Sequence, residues 1–364
     1  MRKNEAIWIE SRQRWQIKVQ IDGVRRIFTD ATPGKKGKIA AERKADDWIE
    51  TRVVGENTRC EVLLDAFYDW KKRTTSKGNC AIIDYHIRLY IKPAIGKKRI
   101  GSLTENDLQR VIDMAYGEGL AKKTLLGIRG TLTAFIKYCR KEKATMMFPE
   151  SLVIPHGAKA RGKNIAQPED IKKLFSCDCT ERRGKEHPDR LIHMYRFAVL
   201  LGLRPGELIG IQKTDIHDGV LHIHGAINRF GDETDGKNEN AKRRIRIGKL
   251  AQKELDAQIS MLRSEGLVSK YVFPQVDGGP VTQRQYRDAW HKFCEHNGIS
   301  HITPYELRHT FVSVNDDMPD GLKKRVMGHS ESMDTEGVYG HEKDGDLKRI
   351  SDFIDGAFGK IIGL

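Results

Sequence analysis

Near the end of the chain, "MGHSESMDTEGVYGHE" (327–342) sets a phenol, Tyr339, ten residues after His329 and two before His341. A phenol close to imidazoles is a nucleophile that can be converted to an aryl ester and released again. Other stretches hold groups suited to such a step on a phosphodiester. In "LGLRPGEL" (201–208), Pro205 opens a helix straight after Arg204, which places that guanidinium at a corner between two helices. In "TPYELRHTF" (303–311), Thr303 is an N-cap, Pro304 suits the first helical position and Glu306 completes a capping box. The helix starting there puts Tyr305 and Arg308 on one face and Leu307, Phe311 and Val314 on the buried one, and its N-terminus favours an anion. A hairpin is expected to turn at Asp218-Gly219 into "VLHIHGAI" and return along "RRIRI" (243–247), with Lys237 near the tip of the polar loop between them.

Taken singly, each group has a bland account. A corner arginine is often only a cap, a tip lysine is usually solvated, His309 packs within its helix and His341 belongs to the surface. Together they form one set for phosphoryl transfer. Attack on a phosphodiester builds about one extra negative charge in the transition state, which fixed donors on the nonbridging oxygens stabilise. Arg204 and Arg308 suit that task. An alkoxide leaves poorly without an acid, for which Lys237 is the candidate. A side-chain nucleophile keeps the energy of the broken bond for rejoining, and Tyr339 fits.

Elements along the whole chain must position this set. With 364 residues, two or three domains are expected. The net charge of +14 points to a polyanionic partner, most simply nucleic acid. A mean hydropathy of -0.56 and the lack of a long apolar run argue against a membrane span, and the N-terminus lacks the apolar core of a signal peptide. The six cysteines are scattered, and Cys177-Asp178-Cys179 lacks a second pair at metal-finger spacing, so reduced thiols of a cytoplasmic protein are expected rather than zinc.

Strand-like runs "AIWIE", "RWQIKVQI" and "VRRIFT", with a turn at Asp22-Gly23, are followed by a helix over about 39–54 with Ala40, Ala41, Ala45 and Trp48 as inward positions. Arg14, Lys18, Arg25 and Arg26, with Arg12 nearby, form either a solvated basic face or one that lies in a major groove. Helices are expected at about 60–73, 79–92, 104–116 and 121–141; the last sets Leu125, Ile128, Leu132, Phe135, Ile136 and Cys139 against a side carrying Lys122, Lys123 and Arg129. After a proline-rich boundary near 155–166, helices at about 168–175, 189–202, 250–264 and 282–296 surround a strand-rich stretch over 216–247. The fold class is therefore multidomain α+β: a small N-terminal three-stranded sheet plus helix, a helical domain, and a mixed, mainly α domain with a small antiparallel sheet.

The ordered series RPGEL, KNENAKRRI, LRHT, MGHS and a tyrosine ten residues beyond that last histidine resembles the tyrosine recombinases of the phage integrase family. Any one piece is weak; the series in order is specific. The resemblance implies that Arg204 and Arg308 bind the phosphate, Lys237 protonates the 5'-oxygen, His329 is the second active-site imidazole and Tyr339 forms a 3'-phosphotyrosine without cofactor or metal. It implies an arm-site DNA-binding domain over 1–55, a core-binding domain over 58–155 and a catalytic domain over 166–364. The partners implied are double-stranded attachment-site DNA and, as accessories, an excisionase and DNA-bending proteins, in a bacterial cytoplasm. Tyr305 departs from the pattern, because the family usually has a histidine there; a phenol can donate to phosphate but is a poor base near neutral pH.

Leu347, Ile350, Phe353, Ile354 and Phe358 recur at helical spacing in the tail. That helix either covers its own domain or, as the resemblance implies, docks on a neighbouring protomer in a homotetramer on DNA. The rival readings are a metal-dependent DNA nuclease, for which clustered carboxylates are wanting and His222 and His224 lack an acidic partner, and a non-catalytic DNA-binding regulator. A type IB topoisomerase would share the chemistry but not the separate N-terminal domain and tail.

Overall fold

The computed structural model describes residues 4–21, 24–51, 55–160, 162–235, 242–328 and 345–363. The chain divides into two compact units, Met1–Arg161 and Gly162–Leu364. In the first, β1 (Ile7–Ile9), β2 (Arg14–Ile21) and β3 (Val24–Asp30) form an antiparallel sheet in the order β1-β2-β3. Helix α1 (Gly34–Thr51) covers one face, where Ile17, Val19, Ala41, Ala45 and Trp48 form a small core. Ala40 is only half-buried, so the inward stripe is narrower than expected. The helix also starts well before residue 39, through Gly34 and Gly37. Gly37 is buried there, and a Cβ would run into the Thr32 carbonyl and lie 2.8 Å from Trp15 Cδ1. Helix and sheet meet at this point because the side chain is missing. The Asp22-Gly23 turn lies outside the described residues.

A second core in this unit comes from α2 (Cys60–Thr74), α3 (Lys77–His86), a π-helical turn (Ile87–Ile91), α4 (Lys92–Ile95), α5 (Glu105–Gly117) and α6 (Lys122–Lys141). Leu64, Phe67, Ile91, Leu108, Ile128 and Phe135 are buried in it. A capping box opens α5, with Thr104 and Asp107 bonding reciprocally. The helix expected over 79–92 instead runs on to Ile95, and the widened turn just before Pro93 accommodates a residue with no N–H to give.

The second unit opens with α7 (Pro168–Ser176) and a hairpin of β4 (Cys179–Arg182) and β5 (Lys185–Pro188) that the sequence did not signal. Helices α8 (Ile192–Leu201) and α9 (Pro205–Gly210) follow, then β6 (Ile216–His217), β7 (Val220–Ile223), β8 (Ala226–Ile227), β9 (Glu233–Thr234) and β10 (Arg243–Arg246). The expected pairing of the 220s with "RRIRI" is present: the sheet order is β10-β7-β6, with Arg243 opposite Ile223. Asp218 (φ 51°) and Gly219 (φ 72°) are both left-handed, as a tight two-residue hairpin requires. Helices α10 (Lys249–Ser264), α11 (Gln283–His296), α12 (Pro304–Val314), α13 (Asp320–Met327) and α14 (Asp346–Ile362) complete the unit.

Its core includes Ile350, Ile354 and Phe358 of α14, so the tail helix covers its own domain. Asp355 accepts from the backbone of Lys249 (2.7 Å) and Leu250 (3.1 Å), capping α10, and Asp346 pairs with Arg325 at 2.6 Å. Among the described residues no helix is long and apolar enough to cross a membrane, and no cluster of three or more His, Cys, Asp or Glu could hold a metal.

Candidate active site

Helix α8 ends at Gly202, which is left-handed at φ +59° and packs so closely on Phe311 that a Cβ would lie 2.7 Å from its ring. Two residues on, Arg204 stands at the N-cap of α9 with Pro205 in the first turn, as read from the sequence. Its backbone N–H donates to Glu207 Oε2 (2.9 Å), its Nη1 to Glu207 Oε1 (2.6 Å) and its Nη2 to the carbonyl of Gly328 (3.3 Å). A third of its side chain remains exposed.

Arg308 comes to the same corner from α12, whose N-cap Thr303 and Glu306 form the expected capping box. Glu306 also accepts from the backbone of Asn164 (2.9 Å), and Thr310 Oγ1 from that of Ala166 (2.9 Å), which sews the chain before α7 to α12. Arg308 is 1% exposed; its Nη1 donates to the carbonyl of Gly202 (2.7 Å) and its Nη2 to that of Met327. Burial, then the charges of Arg204 and Arg243, press its pKa down to about 9. The corner thus holds positive charge against both desolvation and like charge, a condition that an incoming anion relieves.

Two groups without a role in the sequence reading complete the corner. Arg243, the first residue of β10, donates from Nη1 to Glu207 Oε1 (3.0 Å), from Nη2 to Glu207 Oε2 (2.8 Å) and from Nε to the carbonyl of Val326 (2.5 Å). Its side chain is 6% exposed and that of Glu207 4%. Burial pushes the Glu207 carboxyl up, but the Arg243 hydrogen bond and charge, with the backbone and side chain of Arg204, outweigh it and hold the pKa at about 2. Glu207 could have been found from its place three residues after Arg204 in a helix that opens with proline, a capping-box position. Nothing in "RRIRI" separates Arg243 from its neighbours.

Tyr305 shares a side of α12 with Arg308 but is 47% exposed, with its ring edge-on to His309 at 5.4 Å. Burial first, then Lys163, lowers the His309 pKa, which suits a packing residue. Lys237, His329, Tyr339 and His341 lie outside the described residues. Met327 and Gly328, whose carbonyls hold the two arginines, immediately precede His329 in the chain. His224, which seemed to lack an acidic partner, lies 3.3 Å from Asp215. No third ligand joins them among the described residues.

The basic residues of the first unit are not equivalent. Lys18 and Arg25 are exposed, and the strand register places both on the side of the sheet away from α1. Arg26 pairs with inward-facing Val19 and lies over the Trp48 ring at 5.8 Å, so it caps the small core and is removed from the expected basic face. Arg14 is half-buried, with Nε enclosed and unpaired among the described residues. Lys122 and Lys123 are exposed in the first turn of α6, whereas Arg129 is half-buried and donates to the carbonyl of Leu152 (3.4 Å).

Residues 165–345 match the phage integrase family. The chain is 25% identical over 273 residues to the tyrosine recombinase XerC of Bacillus licheniformis, covering 72% of this chain and 83% of that protein. It is 24% identical over 337 residues to the ICEBs1 integrase of Bacillus subtilis, with 88% of each covered. Among solved structures, the fold is similar to the Tn1549 transposon integrase in complex with a circular intermediate DNA (TM-score 0.64, 16% identity, 80% of this chain and 98% of that one). It is also similar to a lambda integrase tetramer bound to a Holliday junction (TM-score 0.59, 15% identity, 93% and 96%). Two arginines converging on the backbone just before His329, the match over 165–345 and relatives aligned along most of the chain agree on one answer: this protein belongs to the phage integrase family, the tyrosine site-specific recombinases.

Proposed function

We propose that this recombinase integrates and excises a mobile element by cutting and rejoining double-stranded attachment-site DNA through a 3'-phosphotyrosine on Tyr339. The observation that carries the reading is the meeting of Arg204 and Arg308, from separate helices, on the carbonyls of Met327 and Gly328. In the proposed reaction the two guanidinia hold the nonbridging oxygens, and Lys237 gives its proton to the departing 5'-oxygen. His329 adds a donor, and the Tyr339 oxygen forms the new bond to phosphorus as the bond to the 5'-oxygen breaks and the phenolic proton passes to water. Religation runs the steps backward, with a 5'-hydroxyl attacking the aryl ester. Tyr305 serves as a hydrogen-bond donor at the rim. Residues 1–55 take the arm-site role, 58–155 the core-site role and 166–364 the catalytic role. Four protomers assemble on two DNAs.

The test uses a nicked duplex carrying a site recovered by selection from random-sequence DNA, incubated in EDTA with wild type, Tyr339→Phe and Tyr305→Phe, and run on a denaturing gel. The expected result is protein-linked DNA from wild type and Tyr305→Phe and none from Tyr339→Phe. Cleavage that requires added magnesium and leaves no linked protein would replace this reading with a nuclease; binding with neither product would leave a regulator.

A further inference from the structure

Arg243 is the charged group of the corner for which the proposed chemistry has no use. It neither faces solvent nor stands in the family series quoted above as a phosphate ligand. Its three donors nevertheless reach two separate elements: both oxygens of Glu207 on α9, and the carbonyl of Val326 in the last turn of α13. Each of those elements in turn holds a phosphate-binding arginine. Glu207 takes the backbone N–H and Nη1 of Arg204, and the residues after Val326 take Nη2 of both Arg204 and Arg308. Arg243 also begins the strand that returns from the loop bearing Lys237, six residues earlier.

The charges give the arrangement its sense. Glu207 is 2.6 Å from Arg204, and as its sole partner would neutralise that guanidinium and hold it against its own helix. A second cation on the same carboxylate changes this, because among the described residues Glu207 then stands with Arg204, Arg243 and Arg308 and the corner keeps a positive excess. Arg243 alone has the planar fork to meet both carboxylate oxygens while its Nε reaches the Val326 carbonyl; a lysine at the same place has the charge without the fork.

We propose that Arg243 is a positioning residue for DNA cleavage: by sharing Glu207 with Arg204 and fixing the end of α13 to β10, it holds the Arg204 guanidinium, a third of whose side chain stays exposed, where it can meet the scissile phosphate. The inference rests on the reading of Arg204 as a phosphate ligand. It differs from a general role in the fold because it acts on one part of the reaction, the charge on the nonbridging oxygens.

The experiment compares wild type, Arg243→Lys, Arg243→Gln and the double variant Arg243→Gln/Glu207→Gln on the nicked duplex described above. The scissile position is either an ordinary phosphodiester or a methylphosphonate, which lacks one charged nonbridging oxygen. Formation of Tyr339-linked DNA is timed, and each protein's melting temperature and affinity for the intact site are measured. Arg243→Lys is expected to bind like wild type, to cleave the phosphodiester at least about tenfold more slowly, and to lose most of that deficit on the methylphosphonate. The double variant is expected to cleave no more slowly than Arg243→Gln, since the carboxylate that captures Arg204 has gone with its partner. Should Arg243→Gln fail to fold, Arg243→Lys, which keeps a cation beside Glu207, and the double variant, which removes both members of that pair, decide the matter. Arg243→Lys cleaving at the wild-type rate, or losing the same factor on both substrates, overturns the proposal. Wild type forming no linked DNA overturns the phosphate-binding reading beneath it as well.

Discussion

The open side of the N-terminal sheet and the arginine corner of the second unit are both cationic, yet they hold their charges in opposite ways. On the sheet, Lys18 and Arg25 stand in solvent beside Ile7 and Ile27, which are 62% and 53% exposed. Such charges are screened by salt, contribute roughly independently and are free to follow a moving polyanion. In the corner, Arg308 and Arg243 are buried and their donors are committed to Gly202, Met327, Val326 and Glu207. Their directions are fixed before any ligand arrives, and each depends on the others. Attraction needs only charge, whereas lowering a reaction barrier needs charge in one place, so the corner accepts the cost of burial that the sheet avoids.

The contrast can be broken most severely at Arg308. Arg308→Ala should slow formation of protein-linked DNA by about a thousandfold, and Arg308→Lys by about a hundredfold, because an ammonium cannot serve both carbonyls. Gel-based single-turnover rates check this, and a lysine variant with the wild-type rate would make the corner as tolerant as the sheet. Next in size is the support beneath the corner. Phe358→Ala should cost about 3–5 kcal/mol of stability, read as a lower melting temperature. Removing residues 346–364 takes Ile350, Ile354 and Phe358 out of the core and should leave the domain unfolded rather than merely unable to exchange strands. A truncated protein that melts like the full chain would show that α14 is not part of its own core.

A third expectation concerns acid. Glu207 has its pKa lowered from 4.5 to about 2, so its contribution to folding is complete above 4.5 and disappears as pH falls towards 2. That contribution is on the order of 3 kcal/mol, and Glu207→Gln should remove this part of the acid sensitivity in a pH series of melting curves. The sheet has no such buried carboxylate-guanidinium cluster among its described residues, and Lys18→Gln or Arg25→Gln should do least. Each is expected to lower DNA affinity less than about tenfold and reduce the salt slope by about one, with cleavage of bound DNA unchanged. Arg26→Gln should leave that slope alone and cost about 0.5–1 kcal/mol of stability through the lost Trp48 contact. An Arg26 effect on the slope equal to that of Arg25 would return it to the open face.

Local signals carried much of this architecture. The capping boxes at Thr104 and Thr303, the left-handed turn at Asp218-Gly219 and the corner at Arg204-Pro205 are written in adjacent residues, and all are present. What the sequence hid depends on partners far away in the chain. Arg26 reads as a neighbour of Arg25 until the register with Val19 turns it towards Trp48. Arg243 reads as one cation in a basic strand until Glu207 and Val326, 36 and 83 residues away, converge on it. The hairpin of β4 and β5 has no apolar alternation, being exposed along most of both strands, so the usual strand pattern was missing. For the family-derived Lys237, His329 and Tyr339, the described residues offer only their flanks.

The backbone oxygens at the end of α13 have a further consequence. They engage Arg204 and Arg308 through the kind of contact that phosphate oxygens would make. Because these oxygens belong to the backbone, no substitution at Met327 or Gly328 can delete them. What a substitution can spoil is the path of the chain that carries them, which Arg243 holds at Val326.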